Sequence, residues 1–227
     1  MLNKFLLLGF TLFTLALSAQ KGNLYVETNY NTYSHSSLSS FQKELFRSLD
    51  IQVPLKITDD FPGYIGFTIG YEITQIKTSF FLSYNSTGGK MSYADYSGVI
   101  RLEQPLSAIT FGGMYNLNIG NNFRAGFRAF TTFSNLKLKS YSRLDTFENT
   151  ELIKLNATDI GIGTAIIYEY PVSFFKIRAS VGFDLVLGGD LNFKDIEDSH
   201  LIDNSGDKVK TGWSGFRSGL GITIPIN

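Results

Sequence analysis

The chain carries 227 residues with 20 basic and 20 acidic side chains, no cysteine, 22 glycines, and aromatics at 15% against 18% charged residues. Neutral charge removes the electrostatic case for nucleic acid. The lack of cysteine removes disulfides, thiolate metal sites, thiol nucleophiles and cysteine lipidation. A weakly charged, aromatic-rich chain is the reverse of a disordered one, and past the first 20 residues no long apolar run suggests membrane helices. Composition alone leaves two options, a soluble β-domain or one whose solvent is lipid.

The chain opens with a short basic segment ending at Lys4, an apolar stretch over residues 5–17, and the small-residue step Leu17-Ser18-Ala19. This is the pattern of a secretory signal peptide. Cleavage after Ala19 leaves residues 20–227 as one exported domain.

From there apolar residues recur with period two, the mark of half-buried strands. Residues 23–33 set Leu24, Val26, Thr28 and Tyr30 against Glu27, Asn29 and Asn31. Residues 45–57 read as a second strand, with Leu49, Ile51, Val53 and Leu55 against Asp50, Gln52 and Lys56. Residues 64–74 set Ile65, Phe67, Ile69 and Tyr71 against Gly66, Thr68, Gly70 and Glu72. Residues 80–96 read instead as an external hairpin turning at Gly88-Gly89. Residues 98–118 form one long strand whose apolar parity changes between Leu106 and Ile109, as a bulge would cause. Strands over 123–134, 158–168, 176–187 and 215–227 complete a count of eight, with ten as the alternative.

Connections alternate in length. Residues 58–63, 119–122 and 169–173 are short, while 34–44, 75–97, 136–156 and 188–212 are long and polar. Tight turns on one side and long loops on the other are usual for bacterial outer-membrane barrels. The polar face supplies a second sign. It is rich in glycine (Gly66, Gly70, Gly126, Gly161, Gly163, Gly182, Gly219 and Gly221) and carries charges of both signs: Glu27, Asp50, Glu72, Arg101, Glu103, Arg124, Arg128, Asp159, Arg178, Asp184 and Arg217. Glycine weakens a solvent-facing strand, whereas small residues make room for large ones inside a narrow barrel. Balanced charge suits a paired interior network, because a buried charge is costly alone. The expectation is an all-β, eight-stranded, antiparallel up-and-down transmembrane β-barrel with apolar side chains toward lipid. Tyr25, Tyr64, Tyr168, Phe174, Trp213 and Phe216 are candidates for interfacial girdles.

On this pattern, and on the Pro-Leu phrases at Pro54-Leu55 and Pro105-Leu106, the chain resembles the small outer-membrane β-barrel family, OmpA/OmpX-like. It departs from many members in ending Pro225-Ile226-Asn227 where they end in Phe or Trp. The resemblance implies an integral outer-membrane location. It also implies, as partners, outer-membrane lipid and lipopolysaccharide, the barrel-assembly machinery, and an extracellular partner met through the loops.

The chemistry-bearing residues are sparse. His35 and His200 fall in expected external loops, and His35-Ser36 is a weak hint of a nucleophile with its base. Asp195, Glu197, Asp198, Asp203 and Asp207 lack the spacing of a calcium loop. Asn85-Ser86-Thr87 and Asn156-Ala157-Thr158 match the glycosylation triplet. The expectation is a non-enzymatic barrel plugged by its own side chains, with no catalytic, cofactor or metal site. A narrow channel for small solutes or ions is the alternative.

Overall fold

The computed structural model describes residues 21–48, 55–96, 98–144, 147–196 and 199–226. The expected signal peptide and Asp50 lie outside them. Among the described residues ten strands form a single antiparallel sheet: β1 (Gly22–Tyr33), β2 (Lys56–Asp60), β3 (Tyr64–Ile73), β4 (Thr78–Ala94), β5 (Gly98–Asn118), β6 (Phe123–Leu144), β7 (Phe147–Val172), β8 (Phe175–Gly188), β9 (Asn192–Phe193) and β10 (Gly215–Ile226). Eight close a ring in the order β1-β3-β4-β5-β6-β7-β8-β10, and β10 returns to pair with β1 from Gly22↔Ile226 to Tyr33↔Gly215. The short strands β2 and β9 lie outside the ring, paired to β4 and β7.

The ring reaches eight with a different membership from the one expected. The described part of residues 45–57 supplies no ring strand. Leu38, Phe41, Gln42 and Leu45 recur at helical spacing, and Ser36–Ser48 forms helix α1, which begins where the Ser39 N–H reaches the His35 carbonyl at 2.9 Å. The eighth ring strand is β4. Its Gly88-Gly89 is no turn but sits mid-strand opposite Pro105 and Gln104, because residues 78–94 pair without interruption to 99–115. The short turns are Thr74–Lys77, Ile119–Asn122 and the Ser173-Phe174 corner, where Ser173 adopts a left-handed φ of 54°. Residues 58–63 lie at the opposite, long-loop end with β2.

No bulge separates Leu106 from Ile109, since β5 keeps one register with both neighbours. What changes there is the environment. Ile109, Phe111 and Tyr115 point outward and are about half exposed, whereas Leu106 and Ala108 point inward and are buried. The same inversion occurs on β6 between outward Phe133 and inward Leu136, and on β7 between inward Leu155 and outward Ile160. Leu106, Leu136 and Leu155 are direct cross-strand neighbours, so the switch lies at one level of the wall. Beyond it the outward positions are Asn135, Lys137, Lys139, Lys154 and Asn156. The described part of residues 136–156, read from the sequence as a long loop, thus forms the outer parts of β6 and β7.

Below that level the outward face is a belt of Ile, Leu, Val, Phe and Tyr that includes Ile65, Phe67, Phe127, Ile162, Val181 and Leu220. A closed ring leaves no backbone edge, and an apolar belt around it is the surface of a protein solvated by lipid. The inward glycines make room for large neighbours. An added Cβ at Gly70 would meet the Tyr25 ring and one at Gly161 the Phe130 ring. The girdle expectation divides: Phe174 and Phe216 are exposed, but Tyr25, Tyr64 and Trp213 are inside, because their rings fill space that these glycines and the outer cap leave.

Placing a charge in the belt tests this assignment. Phe127→Arg is expected to lower unfolding free energy by about 2–4 kcal/mol in lipid vesicles, while Lys137→Arg, above the switch, leaves it unchanged; urea titration of vesicle-inserted protein measures both.

Candidate functional site

The lumen is the concave region that the ring strands enclose, and below the switch level alternation aims alternate, mainly polar residues of the ring strands into it. Its layers run from the short-turn mouth to the long-loop mouth. At the short-turn end a vestibule of about 330 Å³ is lined by Asn23, Asn116, Asn118, Lys77, Lys176 and Arg124 among others.

Above it lies a compact charge cluster. Arg178 is held between Glu27 (3.2 Å) and Glu169 (2.9 Å), and its guanidinium stacks 4.2 Å from the Tyr25 ring centroid. Arg124 bridges Glu72 and Glu169, and Lys176 approaches Glu169 at 3.6 Å from the vestibule. Neutral donors complete the carboxylates: Thr223 to Glu169 (2.9 Å), Asn23 to Glu72 (3.0 Å) and Ser180 to Glu27.

A second cluster lies further in. Asp184 sits 3.6 Å from both Arg128 and Arg217 and accepts the Tyr33 hydroxyl at 2.9 Å. The Arg128 guanidinium is sandwiched by Phe81 and Phe130, at 4.2 and 4.7 Å. Around the clusters Thr68 bonds both Asn29 and Ser83, and Thr110 bonds Thr132, each between inward side chains of neighbouring strands. The two cavities at this depth are about 10 Å³ each, room for roughly one water.

Asp159 forms the next layer, accepting the Thr211 hydroxyl at 2.9 Å, and Trp213 donates its indole N–H to Ser134 at 2.8 Å. Above this the outer mouth is closed by an apolar cap of Leu38, Phe61, Tyr64, Leu106, Leu136, Leu155, Leu191, Val209 and Trp213. These come from α1, the link between β2 and β3, the ring strands and the described part of residues 189–213.

Of the sequence-derived charges, Glu27, Glu72, Arg124, Arg128, Asp159, Arg178, Asp184 and Arg217 lie in the lumen. Arg101 and Glu103 do not. They pair with each other, and Glu103 also with Lys90, on the outward face above the switch, where the strand's parity points them to water. The most connected carboxylate, Glu169, is absent from the sequence-derived set. It lies one step of the alternation beyond Ile167, in a segment that reads as a turn when Tyr168 is taken to end the strand. Asn85 is buried and bonded to Asn31, so its glycosylation triplet is inaccessible.

Among the described residues no carboxylate meets the His35 ring. It is buried, meets Trp213 edge-on at 4.9 Å, and its Nδ1 donates to the Thr211 carbonyl at 2.5 Å. It fastens β1 to the cap, and Ser36 next to it simply begins the helix. Among the described residues no group of three or more His, Asp or Glu is placed to hold a metal.

No protein-family model and no curated protein sequence matches the chain. Among solved structures, a major outer membrane protein of Thermus thermophilus is similar over 90% of this chain and 99% of that one, with TM-score 0.51 at 8% identity. The fold is that of a small outer-membrane β-barrel. Neisserial surface protein A (TM-score 0.39, 10% identity, 90% and 97% covered) and the Escherichia coli outer membrane protease OmpT (0.35, 12%, 91% and 97%) align less closely.

In this barrel Glu169 holds the buried Arg178 and the half-buried Arg124, so Glu169→Gln is expected to cost about 3–5 kcal/mol, read as a lower urea midpoint. The cap carries a pH dependence. Burial holds the His35 imidazole below its ordinary value, opposed by the bond to Thr211. The unfolded chain therefore binds more protons, and His35's contribution is full above pH 6.5 and lost as pH falls below it. Trp213 is the sole tryptophan. Its emission is expected to change on acidification with a midpoint below 6.5, and His35→Gln should diminish that transition.

Proposed function

We propose that the protein is a non-enzymatic outer-membrane barrel whose lumen is sealed by its own side chains, serving as an anchored scaffold for its outer cap and projecting wall. The observation that carries this is the pair of cavities of about 10 Å³ between the vestibule and the cap, too small to join into a water path. Eight strands enclose only enough space for side chains. Here that space holds arginines, carboxylates and the Phe81, Phe130 and Tyr25 rings.

The recognition surface in this proposal is external. Strands β4 to β7 run past the switch level, forming a wall beside a cap to which α1 and Leu191, Leu201, Val209 and Trp213 contribute. A rigid ring carrying connecting segments is a common way to present binding residues. An extracellular partner would meet this end, and the assembly machinery would act on the chain before the ring closes.

Conductance decides between this and a narrow channel. In planar bilayers the purified protein is expected to give no sustained current steps. Reproducible unitary steps that disappear when Arg128 or Arg217 is replaced by a bulkier apolar residue would establish the channel instead.

A further inference from the structure

We infer that the lumen binds a monatomic, monovalent anion, chloride by size and charge, between Arg128 and Arg217. The inference rests on the closed ring and its packed interior, and it stands whether or not the lumen conducts.

Beside the vestibule, Arg124, Arg178 and Lys176 meet Glu27, Glu72 and Glu169 in one connected set of ion pairs. Further in, Arg128 and Arg217 share Asp184. Arginine keeps its proton inside a protein, so this second cluster carries a net positive charge. Among the described residues no other carboxylate comes within ion-pair distance of either guanidinium. Glu27 is committed to Arg178 and Ser180, and Asp159 to the hydroxyls of Thr211 and Ser134.

Asp184 also leaves its two arginines short of hydrogen bonds. Its Oδ2 accepts the Tyr33 hydroxyl at 2.9 Å, while Arg128 and Arg217 each stay 3.6 Å from that same oxygen, beyond ordinary bonding length. Its Oδ1 is turned over Gly163 and has no hydrogen-bond partner among the described residues. The Nε atoms of Arg128 and Arg217 have none either, although both residues are only 7% exposed. A buried donor without an acceptor is costly. Phe81 and Phe130 turn their rings to the Arg128 charge, but Arg217 has no such ring among the described residues. An anion between the two groups supplies both the negative charge and the acceptor.

The space has the matching size. Both guanidinium groups border two cavities of about 10 Å³, each with room for roughly one water-sized particle. Neutral donors line the cavity that Asp184 also borders, Asn29, Thr68, Thr110 and Thr132 among them. In the Thr110–Thr132 pair one hydroxyl donates and the other retains a proton to offer. Glycine keeps the room open: a Cβ at Gly163 would meet Arg128 and Asp184, and one at Gly182 would meet Arg217. Sulfate and phosphate are too large for such a space, whereas a single halide fits it.

The test uses the full barrel in zwitterionic detergent, unfolded by urea at constant ionic strength while sodium gluconate, too large for the cavity, is exchanged for sodium chloride. An ion taken up only by the folded chain lowers the unfolding constant once its concentration passes the dissociation constant. About a tenfold fall is expected for each further tenfold rise in chloride. Arg217→Gln should remove this dependence. Asp184→Asn, which makes the cluster more positive, should shift its onset to lower chloride, a gain that packing alone does not produce. Lys137→Gln, on the outward face, should change nothing and so accounts for general salt effects. Heat-modifiable gel mobility confirms that each variant is folded. Crystals grown with bromide should show an anomalous peak between the two arginines. Unfolding indifferent to chloride in the wild type, a dependence that Arg217→Gln retains in full, an onset that Asp184→Asn leaves unmoved, or crystals without that peak would each overturn the site.

Discussion

The structure depends on one constraint: within a bilayer core every backbone N–H and C=O must find a partner in the protein itself. A sheet meets that demand only by closing, and the pairing of β1 with β10 along all twelve residues of each strand closes it. Closure then sets the inside. Eight strands leave a lumen too narrow for solvent and too wide to be empty, so it must be filled. Filling it from alternating inward positions requires both large side chains and the glycines that let them cross the axis.

The filling is polar, and this has a cost. Taking Arg178, Arg124, Arg128 and Arg217 out of water is unfavourable unless each is matched. Glu169, Glu27, Glu72 and Asp184 match them, and Thr223, Ser180, Asn23 and Tyr33 each donate a further hydrogen bond to one of these carboxylates. Such a network need not add net stability, but it is selective. A strand slipped by one residue would turn its charges into lipid and its isoleucines into the lumen. The ionic interior therefore fixes the register that the apolar belt alone would enforce from one side.

Much of this is legible in the alternation, because a barrel writes its two faces directly into odd and even positions. The outward belt and eight of the lumen charges follow from that pattern. Three features hide. β4 escapes the pattern because its inward side chains include Ser79, Ser83 and Asn85 beside Phe81 and its Gly88-Gly89 imitates a hairpin turn; only its pairing with β3 and β5 makes it a wall strand. Helix α1 merges with an adjoining alternating segment, and only packing of Leu38 into the cap shows which periodicity governs it. The parity change at Leu106 resembles a bulge, because one strand alone does not say which solvent lies on which side. Only the matching changes at Leu136 and Leu155 give it meaning.

The strands of the ring differ greatly in length, from 10 residues in β3 to 26 in β7. The long ones, β4 to β7, are consecutive hairpins whose partners are near in sequence, whereas β1 and β10 meet from opposite ends of the ring. Local contacts form at low entropic cost, and joining distant segments is slower. The tall wall is therefore the natural early product of folding and the low seam its last step. Until β10 arrives, β1 has one unsatisfied edge, and Glu27 lacks Ser180 and Arg178 beside it. Latching the seam thus completes the hydrogen bonding and the ionic interior in the same event, so a half-finished ring is poorly suited to lipid on both counts.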